Sequence, residues 1–166
     1  MKKELTINVS MSQLLYDIEN KLHLIGISRE SGNTPEGVEH IQADDLPASR
    51  NQLLRSIQEA IGTVYHSLHE YVTDIDTDQA GNALPGESDY SVRLLVPANY
   101  NTQMVKPLAD LIHQYVVNTV LMDWLLITDK PDAAEYATSA ATNLKQIDSI
   151  LCKRVRPSRP IYSNNE

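Results

Sequence analysis

The chain contains no phenylalanine, one tryptophan and one cysteine, and it has no long uninterrupted apolar run. Its 166 residues are enough for one domain with a sizeable core. Without phenylalanine, the large side chains of that core must come from Leu, Ile, Val and Tyr. Because Cys152 is the single cysteine, no intrachain disulfide can form, and we expect a reducing compartment.

Charged residues interrupt the apolar stretches within a few positions, as Asp123 does in residues 121–127. A helix that crosses a bilayer needs about 20 consecutive apolar residues, so we expect no membrane-spanning segment. Lys2, Lys3 and Glu4 open the chain, and the apolar stretch of a signal peptide does not follow them. The sequence therefore predicts a cytoplasmic protein, or a virion protein if the chain is phage-derived.

Charge is distributed unevenly along the chain, whose formal net charge is −8. Residues 1–152 hold 10 basic and 21 acidic residues, a net charge of −11, whereas residues 153–166 carry a net charge of +3. An acidic body repels nucleic acid and anionic membranes, so we expect neither as a partner.

The spacing of apolar residues predicts the fold. Four segments repeat apolar residues at helical spacing, and they cover residues 11–25, 46–73, 102–128 and 131–155. Residues 4–9 and 91–96 alternate apolar and polar side chains, which predicts two short strands. Helices joined by short loops favour a bundle. We therefore predict a mainly α fold, a four-helix bundle with a minor two-stranded β element, over residues 1–156, followed by a basic, polar tail at 157–166.

Individual residues set the expected ends and faces of these helices. Gly26 follows the first apolar stripe and is a candidate C-terminal cap. Asn101 or Thr102 is expected to cap the third helix, and Asp129 the fourth. The third helix is expected to bury Leu126.

The fourth helix has an inward stripe whose first half is small and whose second half is large. Small residues let helix backbones approach closely, so we expect Ala137 and Ala140 to be buried at a close contact. The full predicted stripe comprises Ala133, Ala137, Ala140, Leu144, Ile147, Leu151 and Val155.

No nucleophile motif and no phosphate-binding glycine loop is present, so we expect no catalytic residues and no cofactor. Asp74, Asp76 and Asp78 begin like a calcium-binding EF-hand loop. Gln79 and Pro85 then occupy the positions where that loop needs a glycine and a bidentate glutamate. We interpret this segment as a solvated acidic loop.

Two groups of histidines and carboxylates have spacing that suits a metal site in a bundle: His66, His69 and Glu70 on the second helix, and Asp110 and His113 on the third. At 100° per residue, these groups point away from the apolar stripes or lie at their margins. A buried metal site would need them inside. Surface histidines are the favoured interpretation, and a metal-dependent bundle enzyme is the alternative.

The end of the third helix and the basic C-terminal segment both suggest contact with another protein. Trp124, Leu125 and Ile127 lie on different sides of the helix, and such an end is either enclosed by a second layer or meets another subunit. Residues 153–160 are either a frayed helix end or an arm that binds an acidic surface, for which the loop 74–89 is our candidate. We predict head-to-tail self-association through Trp124, Lys153, Arg154, Arg156, Arg159, Asp74, Asp76 and Asp78.

A resemblance supports the second interpretation. It lies in residues 90–160 and rests on Leu-Leu-Val-Pro-Ala-Asn-Tyr-Asn at 94–101, Tyr115, Trp124, Pro-Asp-Ala-Ala-Glu-Tyr at 131–136 and Arg-Val-Arg-Pro at 154–157. In this general pattern the chain resembles small helical proteins of phage and prophage structural modules, and it is similar in size and helical make-up to head–tail connector (adaptor) proteins. The resemblance implies a role in virion assembly, ring-forming subunits and other virion or assembly proteins as partners. An intracellular protein-binding module is a further alternative.

Overall fold

A computed structural model describes residues 2–29, 47–73, 86–128 and 130–157 and shows a mainly helical chain with a small sheet. Its elements in chain order are β1 (Lys2–Val9), α1 (Met11–Arg29), α2 (Pro47–Ser67), β2 (Tyr90–Pro97), α3 (Val105–Thr128) and α4 (Lys130–Leu151). None of the helices in these four ranges combines the length and apolar character needed to cross a membrane. The predicted mainly α character and both predicted strands are confirmed.

The two strands form an antiparallel pair in which Lys2 lies opposite Pro97 and Val9 lies opposite Tyr90. One face of this pair is buried in the main core. An isolated two-stranded ribbon is marginally stable, so the buried face stabilises the sheet by packing against the helices. The residues on this face include Ile7, Val9, Val92, Leu94 and Val96.

The third helix is central to the fold, because α3 contacts α1, α2, α4 and β1 and packs most extensively on α4. Asp17 of α1 bonds His113 of α3, and Ile25 of α1 packs against Leu125 of α3. The second contact lies nearer the carboxyl end than the first in both helices, so α1 and α3 run parallel. The carboxyl ends of α1 and α3 and the beginning of α4 therefore lie at the same end of the molecule.

The buried face of α3 is wider than predicted because several elements surround the helix. Leu126 was expected inside and is 49% exposed, whereas its neighbour Leu125 is fully buried. The expectation for Leu126 is therefore wrong. A single apolar stripe does not describe a helix that packs on three others and on a strand. The buried residues of α3 are Leu108, Ile112, Tyr115, Val116, Val117, Val120, Leu121 and Leu125.

The first helix continues beyond Gly26, where we had expected it to stop. Gly26 is buried within α1, and no glycine in the described ranges has the positive φ of a left-handed cap. The Ser28 hydroxyl donates to the Ile25 carbonyl at 2.8 Å in the last turn of the helix. A 3₁₀ turn at Thr102–Met104 leads into α3, which therefore begins three residues after the predicted start at residue 102. The predicted cap Asn101 precedes this turn, and its side chain accepts a hydrogen bond from the Gln103 N–H at 3.1 Å.

The second helix ends at Ser67, six residues before the predicted end at residue 73. Val72 instead forms an isolated antiparallel bridge to Leu94, and the Leu95 N–H donates to the Tyr71 carbonyl at 2.6 Å. The edge of β2 that faces away from β1 thus supplies hydrogen-bond partners to the backbone that follows α2. These bonds replace the ones that a longer helix would have formed.

The fourth helix ends at Leu151, so the predicted end at residue 155 is wrong. Val155, expected in the buried stripe, is 56% exposed, and Cys152 is also exposed. Within the helix, Ala140 is buried and Ala137 is half-buried, which confirms the predicted orientation for the first of these alanines and only partly for the second. The predicted cap Asp129 lies outside the described residues.

Candidate functional site

The beginning of the basic segment is bound to its own chain. The Val155 N–H donates to the Asn99 carbonyl at 2.8 Å, and the Asn101 N–H donates to the Lys153 carbonyl at 3.2 Å. These bonds form an antiparallel bridge between residues 100 and 154. Residues 153–155 therefore run antiparallel to residues 99–101 directly after α4 ends, and these bonds take the place of further helix.

Arg154 has a structural role at this point. Its Nη1 donates to the Leu151 carbonyl at 2.6 Å and to the Lys153 carbonyl at 3.3 Å. A cation at this position neutralises the partial negative charge at the carboxyl end of α4. Tyr100 and Arg154 are partners in the antiparallel bridge. Burial raises the pKa of Tyr100, and the positive charge of Arg154 lowers it. Arg154 is thus directed towards its own chain, and Arg159 lies outside the described residues.

Other cations lie at the same end of the molecule as the C-terminal segment. Lys2 is opposite Pro97 in the sheet, and the Tyr100 N–H donates to the Pro97 carbonyl at 2.9 Å. The first residues of β1 therefore lie beside the turn that holds residues 153–155. We call this region the basic end and define it by four exposed residues near the turn: Lys2, Lys3, Lys153 and Arg156. Lys2 and Lys3 are successive residues of β1 and point to opposite faces of the sheet.

The opposite end of the helices exposes large apolar side chains. Leu125 and Ala133 form a small buried cluster there with Ile25, which joins the ends of α1 and α3 to the start of α4. Around this cluster, four large apolar side chains are between 47% and 76% exposed. We call this surface the apolar end, and its residues are Leu24, Ile27, Leu126 and Ile127.

The region around Trp124 is both enclosed and exposed. Trp124 is partly buried and packs against the main core, and Leu125 is fully buried. Ile127, one residue beyond Leu126, is 76% exposed. Trp124 is therefore at the edge of the main core, and Leu126 and Ile127 present the exposed apolar surface.

Two carboxylates of α4 lie beside the apolar end. Tyr136 packs against the cluster of Leu125 and Ala133. In the first two turns of α4, Asp132 precedes Ala133 and Glu135 precedes Tyr136, so both carboxylates lie beside this cluster. Burial raises the pKa of Tyr136, and the charges of Asp132 and Glu135 raise it further. Glu135 is exposed and Asp132 is half-buried. The apolar end thus has an acidic margin.

The predicted acidic partner surface is only partly described. Asp74, Asp76 and Asp78 lie outside the described residues. Near the end of the same loop, the Arg50 guanidinium donates to Glu87 Oε1 at 2.7 Å, and this hydrogen bond and the charge of Arg50 lower the pKa of Glu87. Asp89 Oδ1 accepts a hydrogen bond from the Met11 N–H at 2.8 Å, at the beginning of α1. These last two carboxylates therefore bind groups of their own chain.

His66 of α2 and His69, in the turn that follows this helix, line a cleft of about 410 Å³ together with Glu70, Asp148 and Cys152. The rings of His66 and His69 are stacked with their centroids 6.0 Å apart, and a ring nitrogen of His69 lies 2.9 Å from the His66 carbonyl oxygen. This cleft brings together several side chains that can bind metals. Their positions, however, do not converge: no group of three or more His, Cys, Asp or Glu within the described ranges is arranged to hold a metal ion.

The polar groups of α3 lie in a different cleft, of about 330 Å³. His113 Nε2 lies 2.7 Å from Asp17 Oδ2, and Asp110 lines the cleft nearby. Ser10 also lines this cleft, but its hydroxyl pairs with the Ser12 hydroxyl at 3.1 Å. The two groups of the metal hypothesis are thus in separate clefts, and His113 pairs with a residue that the sequence had not identified.

A third ionisable position lies between α2 and α3. Burial raises the pKa of Asp123 above its ordinary value, and the charge of Glu59 raises it further. A hydrogen bond from the Ser56 hydroxyl lowers it, and Ser56 is itself buried. This carboxyl group therefore destabilises the contact between the two helices when it is ionised.

Comparisons with protein-family models, with curated proteins and with solved structures found no match to this chain. The surfaces described above are therefore the basis for a functional conclusion.

Proposed function

We propose that this protein is a structural or assembly protein that acts through protein–protein contacts and associates with copies of itself. The apolar end carries the proposal, because it presents four large apolar side chains around a surface formed by three helices. Two of these side chains lie on α1 and two on α3, and groups of large apolar side chains at the surface mark contact sites. In this proposal α1 to α4 pack as a four-helix bundle, a single domain over residues 1–156.

The structure allows an estimate of how strongly this surface can associate. Burying a fully exposed Leu or Ile side chain stabilises a complex by about 1.5–3 kcal/mol. Four side chains that are roughly half exposed therefore supply about 3–6 kcal/mol, and the loss of translational and rotational freedom opposes this gain. The association is expected to be weak for an isolated pair and stronger where each copy contacts two neighbours.

Sedimentation velocity over a wide range of protein concentration tests the proposal. The wild-type chain is expected to shift towards larger species as concentration rises, and the double variant Leu126→Ser with Ile127→Ser is expected to stay monomeric. Tyr16→Ser is the matched control, because Tyr16 is 67% exposed and lies outside the apolar end, on α1. A wild-type chain that remains monomeric at every concentration would contradict self-association.

We propose a phage-type particle as the setting, with a role like that of a head–tail connector and other virion proteins as partners. The support for this setting is the resemblance in residues 90–160. A cytoplasmic pool that enters a virion fits both the resemblance and the single cysteine. The gene neighbourhood tests the setting: portal and capsid genes are expected beside this gene, and a neighbourhood without any virion gene would contradict it.

A further inference from the structure

The apolar end and the basic end lie at opposite ends of α4. This helix begins beside the apolar end and ends at Leu151, next to Lys153 of the basic end. Its 22 residues span about 33 Å at 1.5 Å per residue. The two surfaces are therefore too far apart to contact each other within one chain.

The two ends also differ in charge. The basic end gathers cations from the first residues of β1 and from the segment after α4. Glu4 is the acidic residue nearest to Lys3 in sequence. The apolar end has its acidic margin of Asp132 and Glu135, which lie beside Ala133 in the first two turns of α4. At the end of α4 these four cations outnumber the exposed carboxylates nearby, Glu4, Glu70 and Asp148, and the two carboxylates Asp132 and Glu135 lie at its beginning.

We infer that the apolar end of one copy binds the basic end of a second copy. This inference rests on the proposed self-association and specifies its geometry. The basic end can cover an apolar surface, because lysine and arginine side chains lay their aliphatic stems on apolar groups and keep their charges in water. Val155, which is exposed beside Arg156, adds an apolar side chain to this contact.

The acidic margin then faces the cations of the neighbouring copy, so the charges of the two surfaces are complementary. If two apolar ends met instead, their acidic margins would face each other and repel. A contact between two different surfaces of the chain repeats from copy to copy, so it generates a ring or an open filament. The surface that receives the cations is the start of α4, which replaces the loop 74–89 as our candidate.

Charge reversal tests the inference. Arg156→Glu with Lys153→Glu is expected to weaken self-association about fivefold or more at low salt, since two favourable ion pairs become repulsive. Adding Glu135→Lys to the same chain is expected to restore part of the lost association. Reversal of Lys145, an exposed cation within α4 that lies outside both ends, is the matched control. Association that is insensitive to reversal at both ends would overturn the inference.

Disulfide mapping identifies the contact directly, because Cys152 is exposed and lies next to the basic end. A chain with Ile127→Cys carries one thiol at each end. A disulfide needs its two Cα atoms within about 7 Å, so a bond between positions 127 and 152 can form only between copies.

Mild oxidation of the Ile127→Cys chain is expected to give a ladder of oligomers joined between positions 127 and 152. The control, Tyr16→Cys, is expected to give no such ladder. Disulfides between two 127 positions would overturn the inference while the proposed self-association stands. The absence of any disulfide between copies, in a chain that still self-associates, would do the same. A wild-type chain that stays monomeric would contradict both, and its apolar end would then be covered by another protein or by residues outside the described ranges.

Discussion

The close contact between α3 and α4 can be tested with one substitution, Ala140→Leu. Ala140 is 6% exposed and belongs to the main core, and α4 packs on α3 over most of its length. A leucine at this position adds three heavy atoms to a place where the methyl group of alanine already meets its neighbours. The two helices must then separate, or the leucine must adopt an unfavourable rotamer.

The expected cost of Ala140→Leu is about 1–3 kcal/mol in the free energy of unfolding. For a chain of this size each kcal/mol lowers the melting temperature by about 2–4 °C, so the expected loss is about 2–12 °C. Ala141→Leu is the matched control, because Ala141 is the next residue and is exposed. Its effect is expected to stay within about 0.5 kcal/mol.

Urea and thermal unfolding at low protein concentration and high salt would measure both variants on the monomer. Low concentration is needed because self-association stabilises the folded chain by mass action. High salt screens the ion pairs between copies. If Ala140→Leu and Ala141→Leu gave the same midpoint, α4 would not face α3 with Ala140, and the orientation of the helix described above would be wrong.

Three further substitutions test other parts of the structure. Asp123→Asn is expected to raise stability at neutral pH, because the folded state favours the protonated form of the Asp123 carboxyl. In the wild-type chain, stability should decline as pH rises through the raised pKa of Asp123, and the variant should lose this decline. Asp110→Asn, at an exposed position, is the control, and equal pH profiles for the wild type and Asp123→Asn would contradict this prediction. Leu125→Ala is expected to cost about 2–5 kcal/mol in chemical unfolding, since Leu125 is fully buried, and Leu126→Ala much less; equal costs would contradict the exposed position of Leu126. Arg154→Ala is expected to cost about 1 kcal/mol in the same assay and to increase amide hydrogen exchange at residues 99–101, and unchanged exchange there would show that the C-terminal segment is not held by this side chain.

Much of the fold could be predicted from the sequence because it depends on local patterns. The alternation in β2 and the helical spacing of α3 identify these elements without knowledge of their neighbours. The cap Asn101 also depends on residues close in sequence. Such features are encoded within a few residues of where they occur.

The errors at the helix ends arise from contacts between distant segments. Val72 pairs with Leu94, and residue 155 pairs with residue 99, and in each case a backbone partner far along the chain replaces continued helix. The prediction that Leu126 is buried was wrong for a related reason, because the number of elements around α3 cannot be deduced from the sequence of α3. Spacing along one helix shows which residues share a face and does not show how many faces are covered.

The candidate surfaces were predictable in part. The charge of the C-terminal segment and the apolar end of the third helix are visible in the sequence. The contribution of Lys2 to the basic end depends on its pairing opposite Pro97, which joins residues far apart in the chain. The pairing of Asp17 with His113 likewise depends on the parallel packing of α1 and α3, so spacing within either helix could not reveal it.

Mixing two variants, each with one defective end, tests head-to-tail association most directly. The first carries Leu126→Ser and Ile127→Ser and keeps its basic end, and the second carries Lys153→Glu and Arg156→Glu and keeps its apolar end. At a concentration where the wild-type chain associates, each variant alone is expected to associate less than the wild type. The equimolar mixture is expected to sediment faster than either variant alone and to reach a one-to-one dimer that does not grow further. A mixture that sediments as the sum of its two monomers, while the wild-type chain self-associates, would contradict the proposed contact between unlike ends.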